Sequence, residues 1–257
     1  MSPLLVGLSA AVGAAGGALV PLTAYRLSVP AEEPDRDACI SCARPLPPGI
    51  RGWLGLPARC AGCGVRLGPP AWLTALMAGV ASGILAAALD AMATPGGRAV
   101  LALYVPLAVL GVLLTFIDIA CKRLPHRLVV PAIWISAVLF AVIAAGTGEW
   151  GAMLRAGLGA LVLGAIFLGL YLIPGQGLGY GDVKLAVLLG LYLGWLGWTA
   201  VALGALLPWL VNGPVVLALL VARRVDRRTS LPFGPAMLAG SLLAILSLTG
   251  LPMFARV

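Results

Sequence analysis

Long apolar runs alternate with short polar ones along almost the whole chain, and that alternation predicts the architecture. Eight runs stand out, at residues 4–24, 71–92, 100–117, 128–145, 154–173, 183–194, 198–222 and 234–254. A helix rises about 1.5 Å per residue and bilayer hydrocarbon is about 30 Å thick, so roughly 20 apolar residues make one crossing. All the runs come near that length except 183–194, which reads as a short span or a re-entrant segment. The expected fold class is therefore all-α, a polytopic membrane helix bundle of about eight spans. Its expected sections are a first span at 1–24, a polar loop at 25–70 and a multi-span part at 71–257.

Detail within the runs refines this picture. Gly13, Gly16 and Gly17 offer a face on which another helix can approach closely. Pro208 and Asn212-Gly213-Pro214 interrupt the run at 198–222 and predict a kink. Trp72, Trp150, Trp195 and Trp198 fall at run ends, where indoles favour the membrane interface. No Lys or Arg precedes Arg26, so the first run lacks the charged start of a signal peptide and reads as a retained span, although its small residues at 10–18 would suit cleavage. No internal repeat is visible.

Composition agrees with the pattern. The chain is 61% hydrophobic and 10% charged, with a mean hydropathy of +1.06, which excludes an ordinary soluble domain. A net charge of +8 would suit nucleic acid if the cations formed one surface. Instead they gather in alternate loops. Six Arg lie in 25–70, then come Lys122, Arg123 and Arg127, Lys184, and Arg223, Arg224, Arg227 and Arg228, against Arg98, Arg155 and Arg256 on the other side. Fourteen against three places the first group in the cytoplasm and both chain ends outside, and makes lipid rather than nucleic acid the charged partner.

Two carboxylates stand against this background. Asp118 closes one apolar run, and Asp182 opens another within Gly179-Tyr180-Gly181-Asp182-Val183-Lys184. An ionised Asp near hydrocarbon is costly and normally faces a partner, water or the bundle interior. Two such acids in a low-dielectric cleft do not both ionise easily, which is the working principle of aspartic proteases. Gly179 and Gly181 would let backbone and substrate come close to Asp182. The structural alternative is that Asp182 merely caps a helix and Asp118 pairs with Lys122 four residues on. Asp90 and Glu149 read as boundary residues.

The polar loop carries four of the five cysteines as two CxxC pairs, Cys39 with Cys42 and Cys60 with Cys63, with seventeen residues between the pairs. That spacing fits a closed, structural four-cysteine zinc site. The loop is rich in Gly and Pro and promises little core, so a metal would supply folding energy. The fifth, Cys121, with the only His, His126, is better read as a small buried hydrophobe than as a nucleophile. The chain has no HExxH, GxSxG, Asp-Thr-Gly or Asp-Ser-Gly. Arg26, Lys122, Arg123 and Lys184 can meet lipid phosphates or acidic substrate groups, though cytoplasmic placement alone explains them.

Taken together, Gly179 to Leu185 with Gly190 and Leu193-Gly194-Trp195 resembles the GxGD signature of the type IV prepilin peptidases, or leader peptidases. Phe116-Ile117-Asp118 with Leu124-Pro125 resembles that family's first aspartate region, and Leu231-Pro232-Phe233-Gly234-Pro235 its final-span entry. The order and spacing match over nearly the whole chain, including the CxxC loop. The resemblance implies that Asp118 and Asp182 are the catalytic pair and that the substrate is a prepilin-like precursor, cut at the cytoplasmic membrane border after a glycine that ends a short basic leader.

The chain departs from the family pattern in three places. His126 stands where an acidic residue often follows the proline. The Asn-containing stretch near the end of the first span is here 20–26, which keeps Tyr25-Arg26 and loses the Asn. Ala75 stands where members that also N-methylate the product with S-adenosylmethionine have a Glu. The resemblance thus supports the peptidase and leaves methyl transfer open. Other readings of the two acids are a related intramembrane aspartic protease with other substrates, a non-catalytic scaffold, and a proton-coupled transporter.

Overall fold

The computed structural model describes residues 3–30, 33–92, 96–173, 178–222 and 231–249. Its helices, in order, are α1 (Pro3–Ala18), α2 (Val20–Leu27), α3 (Arg51–Leu54), α4 (Ala71–Ala91), α5 (Leu101–Cys121), α6 (His126–Thr147), α7 (Trp150–Leu172), α8 (Tyr180–Leu196), α9 (Trp198–Val221) and α10 (Gly234–Thr249). Among the described residues extended pairing is limited to two isolated bridges, Ala38 with Pro45 and Arg59 with Arg66.

Helices stand in all eight apolar runs. Among the described residues five are long and apolar enough to cross a membrane, namely α4, the segment Gly97–Cys121, α6, α7 and most of α9. A sixth crossing results if α1 and α2, bent by 43° at their junction, count as one span. Pro21 at the start of α2 supplies no backbone donor, which accounts for the break. The helix in the shortest run, α8, has 17 residues and α10 has 16. The rest of the last expected span, to residue 254, lies outside the described residues, as do Arg223, Arg224, Arg227, Arg228 and Arg256.

The chain divides into two compact units. One comprises Ser2–Ala86 with Tyr104–Arg123. In it α1 packs on α4 through small residues: a Cβ on Gly13 would lie 2.7 Å from the Ala78 carbonyl oxygen, and one on Gly17 2.7 Å from the Ala78 Cβ. Gly16 faces Val109 of α5 instead. The glycine face expected from the sequence is thus split between two helices. Leu22 and Tyr25 of α2 close with Cys39, Leu46, Cys60 and Leu67 of the polar loop into a small core.

The other unit comprises Ala87–Leu103 with Leu124–Val257 and is built around α8. Apolar on all sides, α8 is buried almost throughout, which is how such a helix is stable. Its closest neighbour is α7. A Cβ on Gly190 would fall 2.5 Å from the Gly159 carbonyl oxygen and 2.8 Å from the Ala160 Cα, so the two backbones touch where neither has a side chain. Tyr192 shares a 2.8 Å hydrogen bond with Ser136 of α6.

One expectation fails in this unit. Trp195 is fully buried and stacks on Phe140 at 4.6 Å, so it is core rather than an interfacial anchor, whereas Trp72, Trp150 and Trp198 are exposed. Pro208 and Pro214 lie inside the α9 helix, which continues past both. Gly240 of α10 fits against the Pro208 ring, so neighbouring packing occupies the surface at that proline.

Candidate functional site

Asp118 lies in the last turn of α5, beside the fully buried Ile117. The helix stops because Lys122 takes a left-handed conformation (φ 52°) and returns its N–H to the Asp118 carbonyl oxygen at 2.7 Å. Arg123 then donates from one guanidinium nitrogen to the carbonyl oxygens of Pro30 (2.7 Å) and Val29 (3.3 Å), which fastens this turn to the start of the polar loop. The Asp118 side chain is 4% exposed.

Asp182 is the third residue of α8 and 7% exposed. Its Oδ2 accepts the Gly179 N–H at 2.9 Å, while its own N–H donates to the Gly179 carbonyl oxygen at 3.0 Å. The carboxylate therefore caps the helix and sits at the positive end of its dipole. This is the capping role anticipated as the structural alternative, and it also fixes the orientation of the carboxylate.

The two glycines around Asp182 differ. A Cβ on Gly179 would come no nearer than 3.5 Å to the Asp182 carboxylate and 3.9 Å to the Gly181 backbone nitrogen. One on Gly181 would lie 2.9 Å from the Leu124 Cβ. Gly181 is thus a close-packing position against the turn that opens α6, and Leu124, six residues after Asp118 in the chain, is what it packs on. Residue spacing named both stretches but gave no sign of this contact.

Around the start of α8, Tyr180 and Tyr171 approach to 5.6 Å between ring centroids, and the Lys184 ammonium lies 4.4 Å over the Tyr180 ring. Phe233, from the stretch 231–235, joins Trp209 (4.8 Å) and Phe167 (6.2 Å) in an aromatic cluster. Cys121 donates to the Ile117 carbonyl oxygen of its own helix.

The polar loop forms a second centre. The four sulfurs of Cys39, Cys42, Cys60 and Cys63 lie within 4.8 Å of one another, a cluster that can hold a metal ion. Each CxxC pair is carried by the same turn. Cys39 N–H donates to the Arg44 carbonyl and Ala43 N–H returns to the Cys39 carbonyl; Cys60 pairs in the same way with Val65 and Gly64. The left-handed residues Ala43 (φ 55°) and Gly64 (φ 71°) occupy equivalent places. The chain therefore contains a short internal repeat, 38–46 and 59–67, which its sequence hides because only the cysteines and the closing Leu46 and Leu67 are shared.

Backbone N–H groups of Cys63 and Gly62 hold the Cys60 thiol down to about 6, which favours the thiolate that metals require. The Arg44 N–H lowers the Cys42 thiol, but the adjacent Cys60 and Cys63 sulfurs more than offset it and push that thiol up to about 12.

The loop is secured by Tyr25 and Arg26, the pair that survives in the first-span motif. Tyr25 accepts the Ile40 N–H at 2.8 Å and donates to the Ala38 carbonyl oxygen at 3.2 Å. Arg26 is buried, donates to the carbonyl oxygens of Gly52 (2.6 Å) and Pro47 (3.0 Å), and covers the Trp53 ring. It serves as an internal tie, so the expected lipid- or substrate-facing role does not apply to it.

The type IV leader peptidase family matches residues 105–246, a stretch that contains both aspartates. Among curated proteins, the chain is 32% identical over 227 residues to a "Prepilin leader peptidase/N-methyltransferase" of Aeromonas salmonicida, covering 86% of this chain and 73% of that protein. Proteins of the same name match from Burkholderia pseudomallei (32% over 232 residues, 84% and 67%) and Pseudomonas aeruginosa (28% over 229 residues, 86% and 73%). No solved structure matches. With a family match over more than half its length and relatives aligned along most of it, this chain belongs to the type IV leader peptidase family.

Proposed function

We propose that the protein is an aspartic endopeptidase of the bacterial cytoplasmic membrane that removes the leader from type IV prepilin-like precursors, with Asp118 and Asp182 as its catalytic pair. The observation that carries this reading is the burial of both carboxylates at helix ends in a chain of the leader peptidase family. A buried carboxyl group needs a compensating role, and a shared proton gives it one. The multi-span segment 71–257 is the catalytic part in this reading, with its active site at the cytoplasmic face and both chain ends outside.

One carboxylate is ionised and its partner protonated. The anion takes a proton from water as the water oxygen bonds to the scissile carbonyl carbon, and the partner passes its proton to the carbonyl oxygen. The carbon–nitrogen bond then breaks. The leaving nitrogen takes the proton gained from water, and the second carboxylate recovers its own from the collapsing diol. Asp182 enters with Oδ2 hydrogen-bonded to the Gly179 N–H, which orients its carboxylate.

The cysteine cluster is proposed as a structural zinc site. Four sulfurs about 2.3 Å from a zinc ion stand about 3.8 Å apart at the corners of a tetrahedron. The Cys42–Cys60 and Cys39–Cys63 separations of 3.5 and 3.7 Å suit that geometry. Zinc would supply a crosslink between the two turns that their small core does not.

The relatives' name also includes N-methyltransferase, so methyl transfer from S-adenosylmethionine to the new N-terminus is the second reading. Ala75 brings no carboxylate to α4, and its Cα lies 3.0 Å from where a Cβ on Gly17 would stand. The test of both readings is to incubate the purified protein in lipid with a prepilin, with and without S-adenosylmethionine, and to weigh the products. Loss of the leader supports the peptidase and an added methyl mass the transferase. A precursor left intact contradicts the peptidase reading.

A further inference from the structure

The arginines of the polar loop fall into two groups. Arg26 and Arg36 are spent on the loop's own structure, Arg36 by donating to the Tyr25 carbonyl oxygen and covering the Tyr25 ring. Arg44, Arg51, Arg59 and Arg66 are exposed. Among the described residues, Arg44, Arg51 and Arg66 make no side-chain hydrogen bond or ion pair, and Arg59 has only a 3.4 Å contact with the Gly64 carbonyl oxygen. Each guanidinium carries five donors that need acceptors.

These four side chains converge. Arg44, Arg51 and Arg59 line a cavity of about 660 Å³. Arg59 also lines a neighbouring cavity of about 440 Å³ with Arg66 and Trp72, and Leu56 and Pro57 belong to both. None of the loop's described acids, Glu33, Asp35 and Asp37, lines either one. A tendency of cytoplasmic loops to be basic places cations on one side of a membrane, but it does not gather them around cavities.

The position of the cavities identifies the occupant. Trp72 is exposed in the first turn of α4, a helix of crossing length, so the 440 Å³ cavity opens where that helix enters the bilayer. Ile50, Leu54 and Leu56 are exposed beside the same arginines. An aromatic and aliphatic rim around exposed guanidinium groups suits a molecule with a phosphate head and apolar tails.

We propose that Arg44, Arg51, Arg59 and Arg66 form a binding site for anionic phospholipid headgroups of the leaflet the loop faces, docking the cysteine loop on the membrane surface. Each cation near an anionic surface contributes roughly fivefold in affinity. Removing three should therefore cost well over tenfold.

The test is native mass spectrometry of the full-length protein in neutral detergent, titrated with phosphatidylglycerol or phosphatidylcholine, with inorganic phosphate added in a parallel series. The variants are Arg51→Gln/Arg59→Gln/Arg66→Gln, the corresponding triple Lys variant, and Arg98→Gln/Arg155→Gln as a control. Retained metal content and an unchanged unfolding temperature establish that each variant is folded. The proposal expects wild type to retain phosphatidylglycerol at least tenfold better than phosphatidylcholine, the triple Gln variant to lose that preference, and the Lys variant and the control to keep it. A triple Gln variant that keeps the preference overturns the proposal, as does a loss in the Arg98/Arg155 control. Displacement of the lipid by millimolar inorganic phosphate would show a small-anion site and would also overturn it.

Discussion

Gly181→Ala is a one-methyl change whose effect follows from a single distance. The added Cβ would stand 2.9 Å from the Leu124 Cβ, whereas carbon atoms in contact prefer about 3.5–4.0 Å. The start of α8 or the turn at Leu124 must therefore yield by roughly 0.6–1.1 Å, at a cost of about 1–3 kcal/mol. Asp182 is the next residue and its carboxylate is fixed by Gly179, so the displacement reaches the group proposed to react. A misplacement of about 1 Å can cost on the order of a hundredfold in rate. We expect kcat/KM for prepilin cleavage to fall about ten- to a hundredfold, measured in lipid nanodiscs at a temperature where thermal unfolding shows every variant folded. Leu124→Gly, which removes the opposing Cβ, should restore part of that loss in the double variant. Leu124→Ala, which keeps the Cβ, should not. Wild-type activity in Gly181→Ala, or equal rescue by the Ala and Gly changes at 124, would refute the reasoning. A loss with no rescue would return Gly181 to the role inferred from sequence, that of making room for substrate.

Three further outcomes follow from the packing and the cysteine turns. Gly190→Val forces α8 off the Gly159 and Ala160 backbone and should destabilise the protein by roughly 3 kcal/mol, seen as a lower unfolding temperature in detergent. Ala43→Gly relieves a left-handed alanine and should slow metal loss to a chelator, while Gly64→Ala should hasten it, each by up to about 1 kcal/mol. Acidification acts through Cys60: its thiol is lowered from the ordinary value near 9 to about 6, so the thiolate is present above that pH and is lost as the pH falls through it. Metal uptake by stripped protein, followed by elemental analysis, should weaken below about pH 6, and Cys60→Ser should abolish tight uptake at pH 7.

How far the sequence could be read depended on whether a property was local. Hydrophobic run length found every helix of the bundle, and the CxxC spacing identified a cluster the structure closes, because both are set by residues near one another in the chain. Run length could not show that α8, at 17 residues, is held by burial on almost every side. Trp195 was misassigned for a related reason: position at a run's end says nothing of whether Phe140 waits beside it. Arg26 carries the same lesson, a cation whose partners are carbonyls more than twenty residues away. The Leu124–Gly181 contact and the repeated cysteine turn were hidden because backbone geometry, rather than residue identity, defines them.

The central claim is that Asp118 and Asp182 do the chemistry, and conversion of each to Asn tests it most directly. Asn keeps the size of Asp and, at position 182, an oxygen that can accept the Gly179 N–H, but it can neither hold nor take the proton that the reaction moves. Cleavage of a prepilin by the purified protein in lipid should be present in wild type and lost by several orders of magnitude in Asp118→Asn and in Asp182→Asn, with unfolding temperatures unchanged. Cleavage at wild-type rate by either folded variant would contradict the account.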